Sequence, residues 1–377
     1  MLFRSVYSHN LREPFGGKQL LLVGDVFQLE PVVKNDEREI LNRAYPTPYF
    51  FSARVFSQID LVSIELQKVY RQTDSVFVSV LDHIRTNTAG AADLQLLNTR
   101  YGSHIEESEA DMYITLATRR DTVDSINEKK LAELAGEPIT FEGSIEGDFP
   151  ESSLPTSQEL VLKPGAQIIF IKNDFDRRWV NGTIGVIAGI DEEEETIYVI
   201  TDDGKECDVK RESWRNIRYR YNEKTKEIEE EVLGSFTQYP IRLAWAITVH
   251  KSQGLTFSRV VIDFTGGVFA GGQAYVALSR CTSLDGIQLK KPINRADIFV
   301  RPEIVNFAGR FNDRQAIDKA LKQAQADVQY AAAARAFDKG DMEECLEQFF
   351  RAIHSRYDIE KPVPRRLIRR KLGIINT

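Results

Sequence analysis

Four short stretches of the chain carry side chains that could bind phosphate groups and nucleic acid. They are Gly24–Val32, Tyr70–Gln72, Thr248–Phe257 and Tyr275–Thr282. Three of the four lie at or near the end of a predicted apolar strand or at the start of a predicted helix. Ligands of open α/β sheets bind beyond the carboxyl ends of the strands, so polar residues there point to a binding site more than to packing.

Arg71 and Arg280 are two guanidinium groups from distant parts of the chain. A guanidinium has a fixed fork of donors that suits phosphate oxygens, and a well-placed arginine accelerates phosphoryl transfer strongly. Gln28, close to an acidic residue at a predicted strand end, could orient a water molecule or sense a terminal phosphate. These three residues together suggest triphosphate chemistry.

A second group of donors suits the backbone of a nucleic acid. It consists of His250 and Lys251 with their neighbours Thr248 and Ser252. Taken singly, an arginine is more often part of a surface or interface salt bridge, and a lone histidine is more often structural. The order and spacing of the four stretches together favour a functional site over those alternatives.

The elements around these stretches alternate between strand and helix, which predicts an α/β fold. The first half of the chain has five predicted elements. They are a strand at Gln19–Val23 buried on both faces, a strand at Val62–Leu66, a helix with Phe77, Val80, Leu81 and Ile84 on one face, a strand at Met112–Ala117 and a helix at Thr122–Ala135. The α/β pattern resumes at Leu243–Val249 and Arg259–Asp263.

Between these parts, residues 160–238 predict a small all-β barrel inserted into the α/β domain. Its predicted strands are Gln167–Ile171, Gly185–Ala188 and Thr196–Ile200, followed by a hairpin of Arg218–Tyr221 and Glu229–Val232. Asn181-Gly182 and Asp202-Asp203-Gly204 supply turns between the strands. Residues 205–226 hold eight Lys and Arg against four Asp and Glu, with Trp214, Tyr219 and Tyr221 interleaved. This mixture suits single-stranded nucleic acid, or else a hairpin with cross-strand aromatic pairs and solvated charges.

After residue 300 the chain is predicted to be helical. One helical face is marked by Ala316, Ile317, Ala320, Leu321, Ala324 and Val328. Ala333–Ile353 is a second helical pattern, and within it the segment Ala336–Ile353 resembles one tetratricopeptide repeat. One repeat cannot bury its own apolar face, so a helical hairpin docked on the rest of the chain is favoured over a peptide-binding array. The basic tail Lys361–Lys371 either binds nucleic-acid phosphates or is solvated.

Composition excludes several classes of protein. The 377 residues carry a net charge of −7, with 42% hydrophobic and 28% charged residues, which is ordinary for a globular protein. Three cysteines without a C-x-x-C pair argue against a disulfide framework and a zinc ribbon. No apolar run reaches the roughly 18 residues of a membrane span, and the first residues do not resemble a signal peptide. We therefore expect no membrane association and a cytoplasmic location.

The four stretches resemble motifs III to VI of superfamily 1 helicases, specifically the Pif-type and RecD-type group. Gly24–Val32 is similar to the GDxxQLxPV form of motif III, with Glu30 where the pattern usually has proline. Tyr70–Gln72 is similar to motif IV, and Tyr275–Thr282 to motif VI. Thr248–Phe257 is similar to motif V and is the most specific of the four. The resemblance covers about residues 18 to 290.

This resemblance implies two RecA-like domains with ATP in the cleft between them and single-stranded DNA across their top. It also implies that the inserted barrel is similar to a Src-homology-3 fold. The expected division is a remnant of the first RecA-like domain at 1–45, a second RecA-like domain at 46–159 and 239–300, the barrel at 160–238 and a helical appendix with its basic tail at 301–377.

The resemblance also implies roles for individual residues. Gln28 would couple the γ-phosphate to DNA, Arg71 and Arg280 would contact the γ-phosphate, and Tyr70 would stack on adenine. Asp25 and Gly254 would lie near the nucleotide. The residues expected to touch DNA phosphates are Thr118, Thr248, His250 and Lys251. Such enzymes are expected to move 5′→3′ along the strand.

The sequence departs from the family pattern in the ATP-binding elements. It contains no G-x-x-x-x-G-K-[ST] motif and no Asp-Glu pair after an apolar strand ahead of Gly24. These elements hold the phosphates and Mg²⁺. The chain is therefore expected to be the C-terminal part of a helicase, inactive by itself, with ATP and Mg²⁺ as cofactors of the complete enzyme only. The alternative is a non-enzymatic module that binds DNA or, through the helical appendix, a protein partner.

Overall fold

The computed structural model describes residues 14–33, 35–103, 112–222, 225 and 227–356. The α-helices of this part are α1 (Asn35–Ala44), α2 (Ser75–Arg85), α3 (Ala91–Asn98), α4 (Arg120–Glu133), α5 (Gln273–Leu278), α6 (Pro302–Ala308), α7 (Arg314–Lys339) and α8 (Met342–Ser355). The strands are β1 (Ile114–Ala117), β2 (Ile139–Glu142), β3 (Ser144–Gly147), β4 (Glu159–Leu162), β5 (Gln167–Phe170), β6 (Ile184–Asp191), β7 (Thr196–Thr201), β8 (Glu206–Val209), β9 (Glu212–Asn222), β10 (Glu227–Gln238), β11 (Ile241–Leu243), β12 (Ala246–Thr248), β13 (Val260–Asp263) and β14 (Ile287–Leu289). Short 3-10 helices lie at Pro14–Gly17, Phe50–Ser52, Arg54–Gln58, Glu151–Ser153 and Arg295–Asp297.

The chain divides into two compact units. The first comprises Met1–Ser52 and Lys68–Val305, and the second comprises Ala53–Gln67 and Asn306–Thr377. None of the helices in the described ranges combines the length and the apolar character that a membrane crossing requires. The predicted basic tail Lys361–Lys371 lies outside the described residues. The domain boundaries expected from the sequence stay a prediction.

A four-stranded parallel sheet carries the main hydrophobic core of the first unit. Its order is β12–β1–β13–β14, and every neighbouring pair is parallel. All residues of β1 and β13 are buried, as expected for parallel strands covered on both faces. The sheet confirms the predicted α/β fold class and the strands predicted at Met112–Ala117 and Arg259–Asp263.

The helices of the first unit follow from the spacing of apolar residues. In α2, the four residues of the predicted apolar face are all buried: Phe77, Val80, Leu81 and Ile84. The Asp74 carboxylate accepts a hydrogen bond from the Val76 amide and so caps the helix. Helix α4 agrees with the predicted helix Thr122–Ala135 to within two residues at each end.

Antiparallel strands occupy the middle of the sequence, as predicted. Strands β5, β6 and β7 confirm the three strands expected there, and the five-stranded sheet has the order β11–β5–β6–β7–β8. Gly182 and Gly204 take positive φ angles of 100° and 79° in the predicted turns, where glycine avoids the strain of a side chain. The structure adds β11, from beyond residue 238, to this sheet. It places the hairpin β9–β10 in a separate three-stranded sheet with β3.

The second unit contains a hairpin of α7 and α8. Gly340, with φ 80°, ends α7, and the Asp341 carboxylate accepts from the Glu344 amide to begin α8. The predicted face of α7 is wrong in part, because Leu321 and Val328 are exposed. Helix α8 is 14 residues long and α7 is 26, so α8 can cover only part of α7. The buried positions of the two helices are Ala326, Ala333, Ala336 and Ala352. The likeness to a tetratricopeptide repeat stays a prediction.

Two predicted strands are wrong. Residues 18–25 form no strand, and Leu21 and Val23 are more than 80% exposed. A parallel strand exists only with a neighbour to accept its hydrogen bonds, and no strand of the described residues pairs with this segment. The segment Val62–Leu66 is likewise not a strand. The Ser63 carbonyl and the Glu65 amide of this segment bond to Asn312.

The central position of β1 gives a test of the fold. Replacement Leu116→Ala is expected to lower the free energy of unfolding by about 2–5 kcal/mol, because it leaves a cavity in a fully buried strand. The matched change Leu66→Ala, at a side chain that is 90% exposed, is expected to change it by less than about 0.5 kcal/mol. Urea denaturation followed by circular dichroism measures both. Equal losses for the two variants would contradict the placement of β1 at the core.

Candidate functional site

Arg71 and Arg280 lie close together in the first unit, and both donate hydrogen bonds to Ser279. Arg280 is 2% exposed. Its guanidinium donates to the Val276 carbonyl at 2.9 Å, the Leu255 carbonyl at 3.2 Å and the Ser279 hydroxyl at 2.9 Å. Arg71 donates to the Ser279 carbonyl at 3.0 Å. The two residues predicted to contact one phosphate are therefore brought together.

The hydrogen-bond partners of this arginine pair carry no charge. Arg71 also donates to the Thr256 hydroxyl at 2.9 Å, so every partner named is neutral. Among the described residues, neither guanidinium forms an ion pair with a carboxylate. Burial and the charge of Arg71 lower the pKa of Arg280 to about 10, and burial lowers the pKa of Arg71. Two positive charges held this way form a site for an anion.

Gln28 lies beside the loop that holds the arginine pair. Its side-chain amide donates to the Asp25 carboxylate at 3.4 Å and accepts from the Gln253 side chain at 3.4 Å. Asp25 also lies 3.8 Å from the Arg85 guanidinium. Burial and the Asp25 carboxylate raise the pKa of Tyr275 to about 12. Gln28 and Asp25 therefore contact the same loop and helix that supply the partners of Arg280.

The close approach of two backbones fixes this segment. Gly272 has φ 76°, and a Cβ there would lie 2.3 Å from the Phe27 carbonyl oxygen and 2.5 Å from that of Gln28. Phe27 is buried, with the Arg85 guanidinium 4.4 Å from the centre of its ring. The sequence needs glycine at 272 both for the backbone angle and for the space.

Glu30, which stands where the resembled motif usually has proline, makes its own contacts. Its carboxylate accepts from both Nε and Nη2 of Arg301, at 3.1 and 3.3 Å, and from the Tyr49 hydroxyl at 3.2 Å. Burial and the negative charge of Glu30 raise the pKa of Tyr49. A bidentate ion pair of this kind orients both partners. It attaches the segment two residues after Gln28 to the chain at Arg301.

The other two residues predicted near the nucleotide are open. The Tyr70 ring is 80% exposed, and the Lys68 ammonium lies 4.7 Å from its centre. Gly254 has φ 83°, and nothing lies within 4 Å of the position that a Cβ would take. Tyr70 directly precedes Arg71 in the sequence. Gly254 directly precedes Leu255, whose carbonyl accepts a hydrogen bond from Arg280.

The residues predicted to touch DNA gather at the carboxyl ends of β1 and β12. Thr118 follows β1 and Thr248 ends β12, and the two strands are neighbours in the sheet. Together with His250 they line a cavity of about 520 Å³. The Lys251 amide donates to the Thr248 hydroxyl at 3.3 Å, which places Lys251 directly beside this group.

Charged groups of both signs lie at this cavity, with Arg119, Arg120 and Asp121 in its lining. Burial and the charges of Arg242 and Arg120 lower the pKa of Lys251 to about 8. Burial lowers the pKa of His250 below its usual value, which favours the neutral imidazole. Arg119 forms an ion pair with Asp121 at 3.0 Å. The cluster of Arg120, Arg242 and Lys251 suits a phosphate backbone.

Comparison with known proteins decides the family. A model of the PIF1-like helicase family matches residues 1–90. The chain is 35% identical to the ATP-dependent DNA helicase PIF1 of Homo sapiens over 292 residues, which cover 76% of this chain and 42% of the human protein. The crystal structure of Bacteroides Pif1 bound to ssDNA is similar with 37% identity and a TM-score of 0.62, covering 81% of this chain and 69% of that chain.

The chain belongs to the PIF1-like helicase family. A second solved structure, of Bacteroides sp Pif1 in complex with ADP-AlF4, has 38% identity and a TM-score of 0.69 over 79% of this chain and 67% of that one. These findings confirm the resemblance drawn from the four motifs. The chain spans less than half the length of its human relative.

The structure adds residues to the site of this PIF1-like chain that the sequence analysis missed. They are Arg119, Arg120, Arg242 and Phe269. Arg119 and Arg120 directly follow Thr118 at the end of a buried strand, and that position could have revealed them. Phe269 had no such signal, since it lies in the loop between β13 and α5 and belongs to none of the four motifs.

The hairpin β9–β10 favours the structural interpretation of its basic and aromatic residues. Trp214 stacks on Phe236 with ring centres 5.9 Å apart and carries the Lys172 ammonium 5.3 Å from its own centre. Strand β10 is acidic, and Arg220 forms an ion pair with Glu231 at 2.7 Å. The positive charge of β9 is therefore largely balanced within the hairpin. The side chain of Tyr221 lies outside the described residues.

Gly272 and Gly254 provide a matched test of the close approach. Replacement Gly272→Ala is expected to lower the free energy of unfolding by at least about 2 kcal/mol, since it adds a clash with two carbonyl oxygens to the strain of a left-handed residue. Gly254→Ala carries the strain without the clash and is expected to cost about 1 kcal/mol. Urea denaturation compares the two variants. Equal losses would contradict the docking of the Phe27–Gln28 backbone on Gly272.

Proposed function

We propose that this chain carries part of the ATP-binding and DNA-binding machinery of an ATP-dependent DNA helicase that moves along single-stranded DNA, in the 5′→3′ direction. The observation that carries the proposal is the arginine pair. Arg71 and Arg280 share Ser279, have only neutral partners among the described residues, and adjoin the loop that Gln28 contacts. Relatives bound to ssDNA and to ADP-AlF4 support the same assignment.

On the nucleotide side, Arg71 and Arg280 bind the γ-phosphate and stabilise the charge that develops as it is transferred. Gln28 senses the same phosphate through its side-chain amide. Tyr70 offers an open ring to the adenine. Asp25 orients Gln28 through their hydrogen bond, and Gly254 leaves room for the nucleotide next to the arginine pair.

On the DNA side, the hydroxyls of Thr118 and Thr248, the His250 ring nitrogens and the Lys251 ammonium contact phosphates. These groups lie at the carboxyl ends of neighbouring parallel strands, the place where α/β sheets bind ligands. Arg119 and Arg120 extend the positive surface at the rim of the cavity. A protein partner of the α7–α8 hairpin and a cytoplasmic location are further parts of the proposal.

One loop joins the two sides. It begins at Thr248 with the DNA group and ends at Thr256, whose hydroxyl binds Arg71. The Ser252 hydroxyl and amide bond back to Val249 and Thr248 and keep the first half compact. A shift of the arginine pair on phosphate binding or release therefore moves the loop that holds DNA, which is the coupling that translocation requires.

The phosphate-cradling lysine and the metal-binding carboxylates would have to come from groups outside those assigned here. The sequence has no G-x-x-x-x-G-K-[ST] motif. Within the described residues, no group of three His, Cys, Asp or Glu could hold a metal ion. No step is therefore assigned to the metal. A non-enzymatic DNA-binding module is the second candidate function that this observation favours.

ATP turnover tests whether the residues of this chain suffice for catalysis. The 377-residue chain is expected to hydrolyse ATP no faster than the buffer does, with single-stranded DNA present, because the arginine pair alone leaves most of the phosphate charge uncompensated. A coupled-enzyme assay measures this, with Bacteroides Pif1 as positive control and DNA binding by the same sample as proof of folding. Rapid ATP turnover by this chain alone would contradict the expectation that its ATP-binding elements are insufficient, and would show that the chain is an enzyme by itself.

The pKa of Lys251 gives a test of the DNA contact. Because that pKa is about 8, the ammonium is mostly charged at pH 7 and mostly neutral at pH 9. The dissociation constant for a fluorescein-labelled oligothymidylate is expected to rise about 3- to 10-fold between these pH values, as one phosphate contact is lost. Fluorescence anisotropy at constant ionic strength measures it.

Two variants control this measurement. Lys251→Arg keeps its charge to pH 9 and is expected to abolish the dependence on pH. Lys129→Ala, on the exposed surface of α4, is expected to leave it unchanged. The same rise in Lys251→Arg as in the unaltered chain would show that another group titrates.

A further inference from the structure

Phe269 presents an apolar ring inside the cavity that the proposed function assigns to DNA. Its side chain is 58% exposed, and it lines the cavity together with Thr118, Thr248 and His250. Its ring centre lies 6.4 Å from that of His250, with the two planes 19° apart. The two rings therefore form an offset stack, and the part of the phenyl ring that His250 does not cover is open to the cavity.

The backbone that carries Phe269 is fixed. The Phe269 amide donates to the Gln273 side-chain oxygen at 3.1 Å, and Gln273 is fully buried. Earlier in the loop, Gly267 takes φ 80° and its amide donates to the Phe264 carbonyl at 2.9 Å. The backbone at Phe269 is thus held by a buried side-chain amide and a tight turn. A contact whose backbone is fixed before the ligand binds is preorganised.

A polar group across the cavity lacks a partner. The Thr118 hydroxyl oxygen is buried and, within the described part of the chain, has no hydrogen-bond partner. A buried hydroxyl without a partner costs about 1–3 kcal/mol, so a ligand that bonds to it recovers that cost. Arg119 and Arg120 lie at the same cavity. The cavity therefore offers a flat apolar face, a hydroxyl without a partner among the described residues, and two guanidinium groups that form ion pairs with Asp121 and Asp124.

This combination fits one ligand chemistry. A nucleotide of a single strand has a flat base with an apolar face, and its phosphate accepts hydrogen bonds and carries negative charge. Every base has such a face, so stacking on an aromatic ring tolerates any sequence. A base pair inside a duplex cannot offer its face, since the neighbouring pairs cover it. The uncharged imidazole of His250 suits the back of an aromatic stack.

We propose that Phe269, backed by His250, is a stacking platform for one base of single-stranded DNA. The proposal rests on the proposed function. It adds a contact to a base, whereas the DNA contacts of the proposed function are all to phosphates. Phe269 thereby gives the chain a preference for strands that carry unpaired bases over a bare sugar–phosphate chain.

The experiment compares two strands of equal length and charge. One is a fluorescein-labelled oligothymidylate, and the other has the same backbone with abasic residues. Fluorescence anisotropy gives the dissociation constant of each with the full chain. The unaltered chain is expected to bind the oligothymidylate about 10-fold tighter. Replacement Phe269→Ala is expected to weaken oligothymidylate binding by about 5- to 100-fold and to leave abasic binding unchanged.

Two further variants complete the set. Phe269→Trp keeps an aromatic face and is expected to bind the oligothymidylate at least as tightly as the unaltered chain. Phe175→Ala removes a phenyl ring that is 96% exposed in the loop between β5 and β6 and is expected to change neither affinity. The salt dependence of binding is expected to stay the same in Phe269→Ala, because stacking releases no counterions.

The outcomes separate this proposal from the proposed function. If Phe269→Ala binds both strands as the unaltered chain does, or weakens both equally, the stacking contact is overturned. Salt-dependent binding of the abasic strand would in that case leave the DNA-binding function standing. If the unaltered chain binds neither strand at any salt concentration, while its unfolding transition shows that it is folded, both proposals are overturned.

Discussion

The site depends on two guanidinium groups whose hydrogen-bond partners, within the described part of the chain, are all neutral. Arg71 and Arg280 donate to carbonyl and hydroxyl oxygens of the chain, which satisfy their geometry and leave their charge available. A carboxylate partner would also have stabilised this conformation, but it would have weakened phosphate binding, because the phosphate would then compete with an internal anion. Burial of Arg280 strengthens the field, since few water molecules screen it. Repulsion between the two guanidinium groups and their burial destabilise the folded state, and a bound anion would offset this cost.

The rest of the first unit positions this pair. Buried Phe27 and the bare backbone at Gly272 bring the Gln28 segment close to α5, from which Arg280 follows. The loop after β12 supplies the Leu255 carbonyl and the Thr256 hydroxyl to the pair, and it begins with the groups that face the cavity at β1. The proposed nucleotide contacts and the proposed nucleic-acid contacts thus lie at the two ends of one short piece of chain. The Ser252 hydroxyl donates to the Val249 carbonyl and so holds the turn at the start of this piece compact.

Much of the fold and the motif residues could be predicted because they follow from local pattern. The apolar spacing of α2 and the buried run of β1 need no knowledge of distant residues. The apolar run at Gln19–Val23 has the same pattern and failed, because a strand also needs a neighbour, and local pattern does not reveal one. Phe269 was missed for a related reason. Its importance comes from His250 and Thr118, which meet it only in the folded chain.

The contact between Glu30 and Arg301 joins positions 271 residues apart, and the Tyr49 hydroxyl shares the same carboxylate. In a protein that carries this ion pair, replacement of Glu30 by proline would remove the acceptor of both the Arg301 guanidinium and the Tyr49 hydroxyl. The two distant positions therefore constrain each other's evolution, and the acceptable replacements at one are those that the other can match. In related sequences, residue identities at these two sites should covary, although Arg301 lies outside the four motifs that carry the family resemblance.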